Sequence, residues 1–387
     1  MESSGGTGVR RWLSLVGAAV IATLVVLAGT ELVFCAAWSV GRRLHPDALR
    51  PERSPAYAGA AWVPELTREQ AMRLAAPYRY VPFRISGVAE WHGKYFNNDA
   101  HPTGVWRRTA NPDTGCGPKT KVWIFGGSTV YGTGVPDWAT LASYLSKEMN
   151  RQGRACVEVT NFGDESYVST QELLLLIEQV KRGGRPEVVI FYDGFNDAHV
   201  GMTEADAWTA HYGLETIRAR AEGRWGGRLD FLGRRCTARL AEVAWRMVGQ
   251  RGGTATDEAT HAKATTVVDN YQANEQVARA LAEAYHFKFY GFWQPMLFSG
   301  HKPLELFERQ IAEFDAKSKS RFDARPVVVA YEEAERRAAA GGFVSLTGVF
   351  DGVPEAVYID EAHLGPRGNE LVANAIAKYV EEHEGAN

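Results

Sequence analysis

From residue 121 onward the chain alternates short apolar runs with amphipathic stretches, and that alternation leaves few folds open to it. The run "KVWIF" (121–125) leads to "DWATLASYLSKEMNRQG", where Leu141, Leu145 and Met149 recur at i, i+4 and i+8 between a capping Asp137 and a stop at Gly153. "CVEVTNFG" and "STQELLLLIEQVKRGG" repeat the unit, the latter opening on Ser169 and Glu172 at capping-box spacing. A third strand, "EVVIFYDG", follows. Further along, "NYQANEQVARALAEAYHF", "YEEAERRAAAGG" and "PRGNELVANAIAKYVEEH" have helical patterns, and "FKFYGFW" and "FVSLTGVFD" are expected to be strands. Parallel strands need crossover connections, which helices supply, so the pattern predicts an α/β fold of three layers, α/β/α, over 119–384.

Three segments stand outside this rhythm. Residues 12–40 carry one charged side chain, Glu31, and are long enough to cross a bilayer as a helix, which takes about 20 apolar residues. They outrun a signal-peptide apolar region and lack a clean cleavage site, so they are expected to be an uncleaved single-pass transmembrane anchor behind a short tail, 1–11. Arg42, Arg43, Arg50 and Arg53 outnumber Arg10 and Arg11, which favours a cytoplasmic domain. Large domains behind an N-terminal anchor nonetheless translocate, and the extracytoplasmic side is the expectation adopted. Residues 41–118, rich in Pro, Gly, Arg and aromatics, are expected to form an extended arm packed on the main domain. Residues 200–265, with Trp208, Tyr212, Trp225 and Trp245, are expected to be an insertion or cap.

The formal charge of -3 gives no bulk attraction to nucleic acid, so none is expected as a partner. The cysteines at 35, 116, 156 and 236 have no zinc-site spacing, and neither metal nor cofactor is expected. Cys116 and Cys156 precede successive strands and can pair in an oxidising compartment. Unpaired buried thiols fit the sequence equally well.

Open parallel sheets bind ligands beyond the carboxyl ends of their strands. There the sequence places Gly126, Gly127 and Ser128, then Asn161, Phe162 and Gly163, then Asp193 to Asp197. Asp360 and His363 come just before the last helix, and Gln294 in "FWQP" is a candidate for substrate binding. A serine hydroxyl needs a base, and His363 with Asp360 three residues earlier has the composition of a serine–histidine–aspartate set. The phosphate-loop spacing from Gly127 to Gly132 fails because Thr133 and Gly134 stand where Lys and Ser or Thr are required. The G-x-S-x-G elbow fails at Val130. Asp193 and Asp197, beside Asn196, are expected to bond loop backbone.

These blocks resemble the GDSL/SGNH hydrolase superfamily: Ser128 in "GGSTVYG", Gly163 in "NFG", Asn196 in "GFND", and Asp360 with His363 in "DEAH", in the family's order over roughly 119–380. Gly127 stands where many members carry aspartate, and Ser166 where glycine is common. The resemblance implies a flavodoxin-like parallel sheet and a serine esterase forming an acyl-enzyme on Ser128. It implies Asp360 and His363 as the rest of the triad, and Ser128, Gly163 and Asn196 as oxyanion donors. The implied partner is a carboxylic ester, with O-acylated carbohydrate or lipid among the candidates. The alternatives are an O-acyltransferase acting on an envelope polysaccharide and an inactive, membrane-tethered glycan-binding module.

Overall fold

The structure is a computed structural model that describes residues 5–44, 50–75, 79–151, 156–222, 257–317 and 324–383. The chain divides into two units, residues 1–47 with 213–254 and residues 48–212 with 255–387. In the first unit, α1 (Gly5–Leu44) contains one stretch, Leu15–Ala36, long and apolar enough to cross a membrane, with a mean hydropathy of 2.2. The same unit holds the short helix α7 (Leu214–Ala221). Residues 223–256, which include Trp225, Trp245 and most of the anticipated cap, lie outside the described residues.

In the second unit the arm opens with α2 (Val63–Ala75) and the antiparallel hairpin β1 (Arg79–Val81) and β2 (Ile85–Gly87). It continues into β3 (Trp91–His92), β4 (Asn97–His101) and β5 (Gly104–Arg107), an antiparallel meander. Then come β6 (Thr120–Gly126), α3 (Ser128–Tyr131), α4 (Leu141–Arg151), β7 (Val157–Asn161), α5 (Ser169–Lys181), β8 (Val188–Asp193) and α6 (Phe195–Thr203). The chain resumes with α8 (Asp257–Tyr285), β9 (Lys288–Trp293), α9 (Leu306–Lys317), α10 (Ala324–Ala339), β10 (Val344–Ser345) and α11 (Pro366–His383).

One sheet runs in the order β10-β9-β8-β6-β7-β5-β4-β3. The five strands from β10 to β7 are parallel, as the strand–helix alternation requires, and in the flavodoxin-like order. The arm adds three antiparallel strands beyond β7, so the sheet is mixed. Only Val344 and Ser345 of the anticipated last strand pair; the chain then turns.

Burial on both faces explains why the central strands lack polar alternation. Val122, Ile124, Val188, Ile190 and Phe292 pack with Leu141 and Leu145 of α4 and Val372 and Ile376 of α11. Trp123, Phe125, Val189, Phe191 and Phe289, one position out of phase, pack with Leu173 and Leu176 of α5 and Ala278 of α8. Successive residues therefore serve opposite layers.

Two helix starts differ from the sequence reading. Asp137 does not cap α4: Thr140 does, its Oγ1 accepting from the Ser143 amide at 3.2 Å. Ser169 donates its hydroxyl to Asp197 Oδ1 at 2.5 Å instead of closing a capping box. Asp137 was needed elsewhere. Arg107, only 2% exposed, donates from Nε to Asp137 Oδ1 at 2.8 Å and from Nη2 to the Val135 carbonyl at 2.9 Å. Asp137 also accepts from the Asn97 amide at 3.0 Å and Asn97 Nδ2 at 2.6 Å, which ties the meander to the loop after α3. Cys116 and Cys156 form a disulfide that joins the approaches to β6 and β7.

Removing one member of a buried pair strands the other charge. Arg107→Leu is therefore expected to lower unfolding stability by about 3–5 kcal/mol in urea titration; an unchanged midpoint would contradict this account of the arm.

Candidate active site

The strand order reverses at β6, whose neighbours β7 and β8 lie on opposite sides, and ligands bind at such switch points. Ser128 begins the single-turn helix α3 immediately beyond β6. Its backbone amide, at the first helical position, has no acceptor within the helix. Gly127 is required by a close approach: a Cβ there would lie 2.3 Å from Asn196 Nδ2. A side chain at this position would displace the Asn196 amide from where it lies.

His363 arrives from the loop before α11, 235 residues away in sequence, and its Nε2 lies 2.7 Å from Ser128 Oγ. On the other side of the ring, Nδ1 is 2.8 Å from Asp360 Oδ2 and 3.0 Å from Oδ1. Asp360 Oδ1 also accepts from the amides of Ala362 (3.0 Å) and His363 (2.8 Å), so the carboxylate shapes its own loop. A buried ion pair holds the loop's approach: Lys302 Nζ is 2.6 Å from Glu308 Oε2. Glu308 Oε1 accepts from the amides of Val357 and Tyr358 at 2.9 and 3.1 Å. From the arm, Ser54 Oγ donates to the Tyr358 carbonyl at 2.7 Å.

The charges in this trio reinforce one another. Burial would raise the Asp360 pKa, but the neighbouring imidazolium and the hydrogen bonds to it bring it down to about 2. For His363, burial alone would lower the pKa; the Asp360 carboxylate outweighs it and raises the value above the ordinary 6.5. The His363 and Asp360 side chains remain 21% and 27% exposed, so the site is reachable from solvent.

The candidate oxyanion donors divide. Asn196, on the first turn of α6, donates from Nδ2 to the Tyr167 carbonyl at 2.8 Å. Its second amide proton is not consumed by that bond. The Gly163 amide instead donates to Asn161 Oδ1 at 2.9 Å, so the expectation that it serves an oxyanion is corrected. Its glycine is needed for packing, because a Cβ would lie 2.3 Å from the Tyr131 amide nitrogen. Three residues on, Ser166 adopts the left-handed conformation, φ 67°, and its amide has no partner among the described residues. The signal that could have found it was the serine at a position where glycine is common.

Gln294 is not placed as a surface contact. It is 3% exposed and accepts from Thr129 Oγ1 at 3.2 Å, bracing the residue beside Ser128. Asp197 accepts from the Ser169 amide at 3.1 Å, as expected of a loop-bonding residue, and burial raises its pKa to about 6. Asp193 is buried against Glu172. Burial first, and then repulsion from the other carboxylates around them, raises both well above the ordinary carboxylate range. Tyr212, which no motif marks, donates to Asn196 Oδ1 at 3.2 Å. Among the described residues no group of three or more His, Cys, Asp or Glu side chains is placed to hold a metal.

No protein-family model matches the chain, and no curated protein matches it. Solved structures do. The acetyl xylan esterase AlAXEase is 15% identical, with 67% of this chain and 99% of that one covered and a TM-score of 0.37. A member of the lipolytic G-D-S-L family from Veillonella parvula is 12% identical, covering 67% and 97%, with a TM-score of 0.35. The lipase/acylhydrolase from Enterococcus faecalis is 14% identical, covering 68% and 96%, with a TM-score of 0.35. The solved structures that the chain is similar to thus include G-D-S-L lipolytic proteins and acetyl xylan esterases.

Proposed function

We propose that the chain is a serine esterase that cleaves carboxylic esters through an acyl-enzyme on Ser128. The observation that carries this reading is the unbroken path from Ser128 Oγ to His363 Nε2 at 2.7 Å and from His363 Nδ1 to Asp360 Oδ2 at 2.8 Å. His363 takes the hydroxyl proton as Ser128 Oγ bonds to the ester carbonyl carbon, and Asp360 stabilises the resulting imidazolium. The negative charge on the carbonyl oxygen is met by the amides of Ser128 and Ser166 and by Asn196 Nδ2. Collapse breaks the carbon–oxygen bond to the alcohol, which leaves with the proton from His363. Water then attacks the acyl-enzyme by the same route and releases the acid.

The anchor reading assigns α1 to the membrane, with the second unit on the extracytoplasmic side. The Cys116–Cys156 disulfide supports that side, because such bonds persist in oxidising compartments. An O-acylated glycan is the substrate class we favour. Trp138, on the loop after α3, and Trp208, on the loop leading to Tyr212, are each 49% exposed, offering flat faces for sugar rings.

The test is hydrolysis of a short-chain aryl ester and of an acetylated xylooligosaccharide by the full chain. Ser128→Ala is expected to lower kcat on the order of 10⁴-fold or more, and equal turnover by the variant would overturn the assignment. Activity on the aryl ester alone would keep the esterase and remove the glycan.

The pH dependence follows from the two shifts. His363 must be neutral to accept a proton, so kcat/KM should fall as pH drops through its raised pKa, giving an acid limb centred above 6.5. Asp360→Asn removes the charge that raises His363, so that limb should move to lower pH while the rate falls about 10⁴-fold. An acid limb that stays in place would contradict the coupling. For stability the signs are opposite. Asp360, held low, contributes above the ordinary carboxylate range, and this is lost as pH falls toward 2. His363, held high, contributes below 6.5, and this is lost as pH rises through its folded value.

A further inference from the structure

Resting on the reading of Asn196 as an oxyanion donor, we propose that Tyr212 is a positioning residue. In this role its phenol fixes the orientation of the Asn196 amide, so that the segment between α6 and α7 completes the active site. Two neighbours hold the amide from opposite ends. The Tyr167 carbonyl can only accept, so it must face Nδ2, as it does at 2.8 Å. The phenol then faces Oδ1 and donates to it at 3.2 Å. With one Nδ2 proton on Tyr167, the other is directed over Gly127, whose missing side chain leaves the space beside Ser128 that the amide occupies.

The segment bringing Tyr212 there is built for the purpose. Asp206 accepts from the Trp208 amide at 3.0 Å and from Thr209 Oγ1 at 3.1 Å, closing a tight turn. Lys263 Nζ of α8 donates to the Glu204 carbonyl at 2.5 Å, and Asn270 Nδ2 to the Ala207 carbonyl at 3.4 Å. Ala210 is buried with Val168 and Val200, next to the loop whose Tyr167 carbonyl holds the amide. The Tyr212 ring stacks on His199, centroids 5.8 Å apart at 18°, and His199 stacks on Phe195 at 6.0 Å. The ring is thus set against α6, the helix that carries Asn196. Held at the Tyr167 end alone, the amide can swing about its side-chain torsion and carry Nδ2 away from the developing oxyanion, which weakens that hydrogen bond without reversing the amide.

The test is a double-mutant cycle on the full chain with a short-chain aryl ester. Tyr212→Phe, which deletes only the hydroxyl, is expected to lower kcat about tenfold, with KM within about twofold and the thermal midpoint unchanged, because the loss is confined to the transition state. Asn196→Ala is expected to cost about 10²- to 10³-fold, and adding Tyr212→Phe to it should cost nothing more. If Asn196→Ala is costly while Tyr212→Phe is silent or its effect multiplies that of Asn196→Ala, the positioning role is overturned and the oxyanion reading stands. If Asn196→Ala itself costs nothing, the oxyanion reading falls and this inference with it.

Discussion

The reversal of strand order at β6 is the constraint on which the rest of the molecule depends. Because β7 and β8 flank β6 on opposite sides, the chain leaves in one direction after β6 and in the other after β8, the arrangement at which open sheets form a ligand crevice beyond the carboxyl ends of their strands. Ser128 is the first helical residue beyond that end, and Asn196 enters from the neighbouring β8. Neither would be near the other in a sheet ordered by sequence. The glycine at 127 is the local consequence, since two loops now approach within the radius of a single methyl group.

A crevice between loops is precise only if the loops are held, and here the arm supplies much of the holding. Arg107 locks the loop after α3 through Asp137. Arg84 donates to the Tyr167 hydroxyl at 2.7 Å, and that hydroxyl donates to the Ser86 carbonyl at 2.6 Å, securing the loop that carries Ser166. Tyr57 donates to the Gly134 carbonyl at 2.7 Å. Buried charges of this kind add little net stability over apolar packing but penalise any arrangement that separates them. They set geometry more than they set free energy, which is what a hydrogen-bond relay from Ser128 to Asp360 demands.

The central strands and their helices were legible because burial on both faces writes an uninterrupted apolar run, and amphipathic helices write a 3.6-residue period. Ser128, Asp360 and His363 were legible as a set because strand ends locate them on one edge. The arm's strands were not. β4 reads Asn-Asn-Asp-Ala-His, a polar run whose order comes from pairing with β5 and from Asp137 beyond the strand. Asp137 itself has the spacing of a helix cap, and only Arg107, 30 residues earlier, shows why it is spent elsewhere. The capture of the Gly163 amide by Asn161 Oδ1 was hidden for a similar reason, because nothing in the short loop that also carries Ser166 marks which amide Asn161 takes. Tyr212 sits in a stretch without periodicity, so nothing local distinguishes it from Trp208.

The most direct test of the nucleophile is covalent. The full chain can be treated with a fluorophosphonate, in which an activated serine oxygen displaces fluoride, then digested and mapped by mass spectrometry. The account predicts a single adduct on Ser128 that disappears in His363→Ala at the same pH. An adduct confined to another residue, or labelling of Ser128 that persists undiminished without His363, would contradict it.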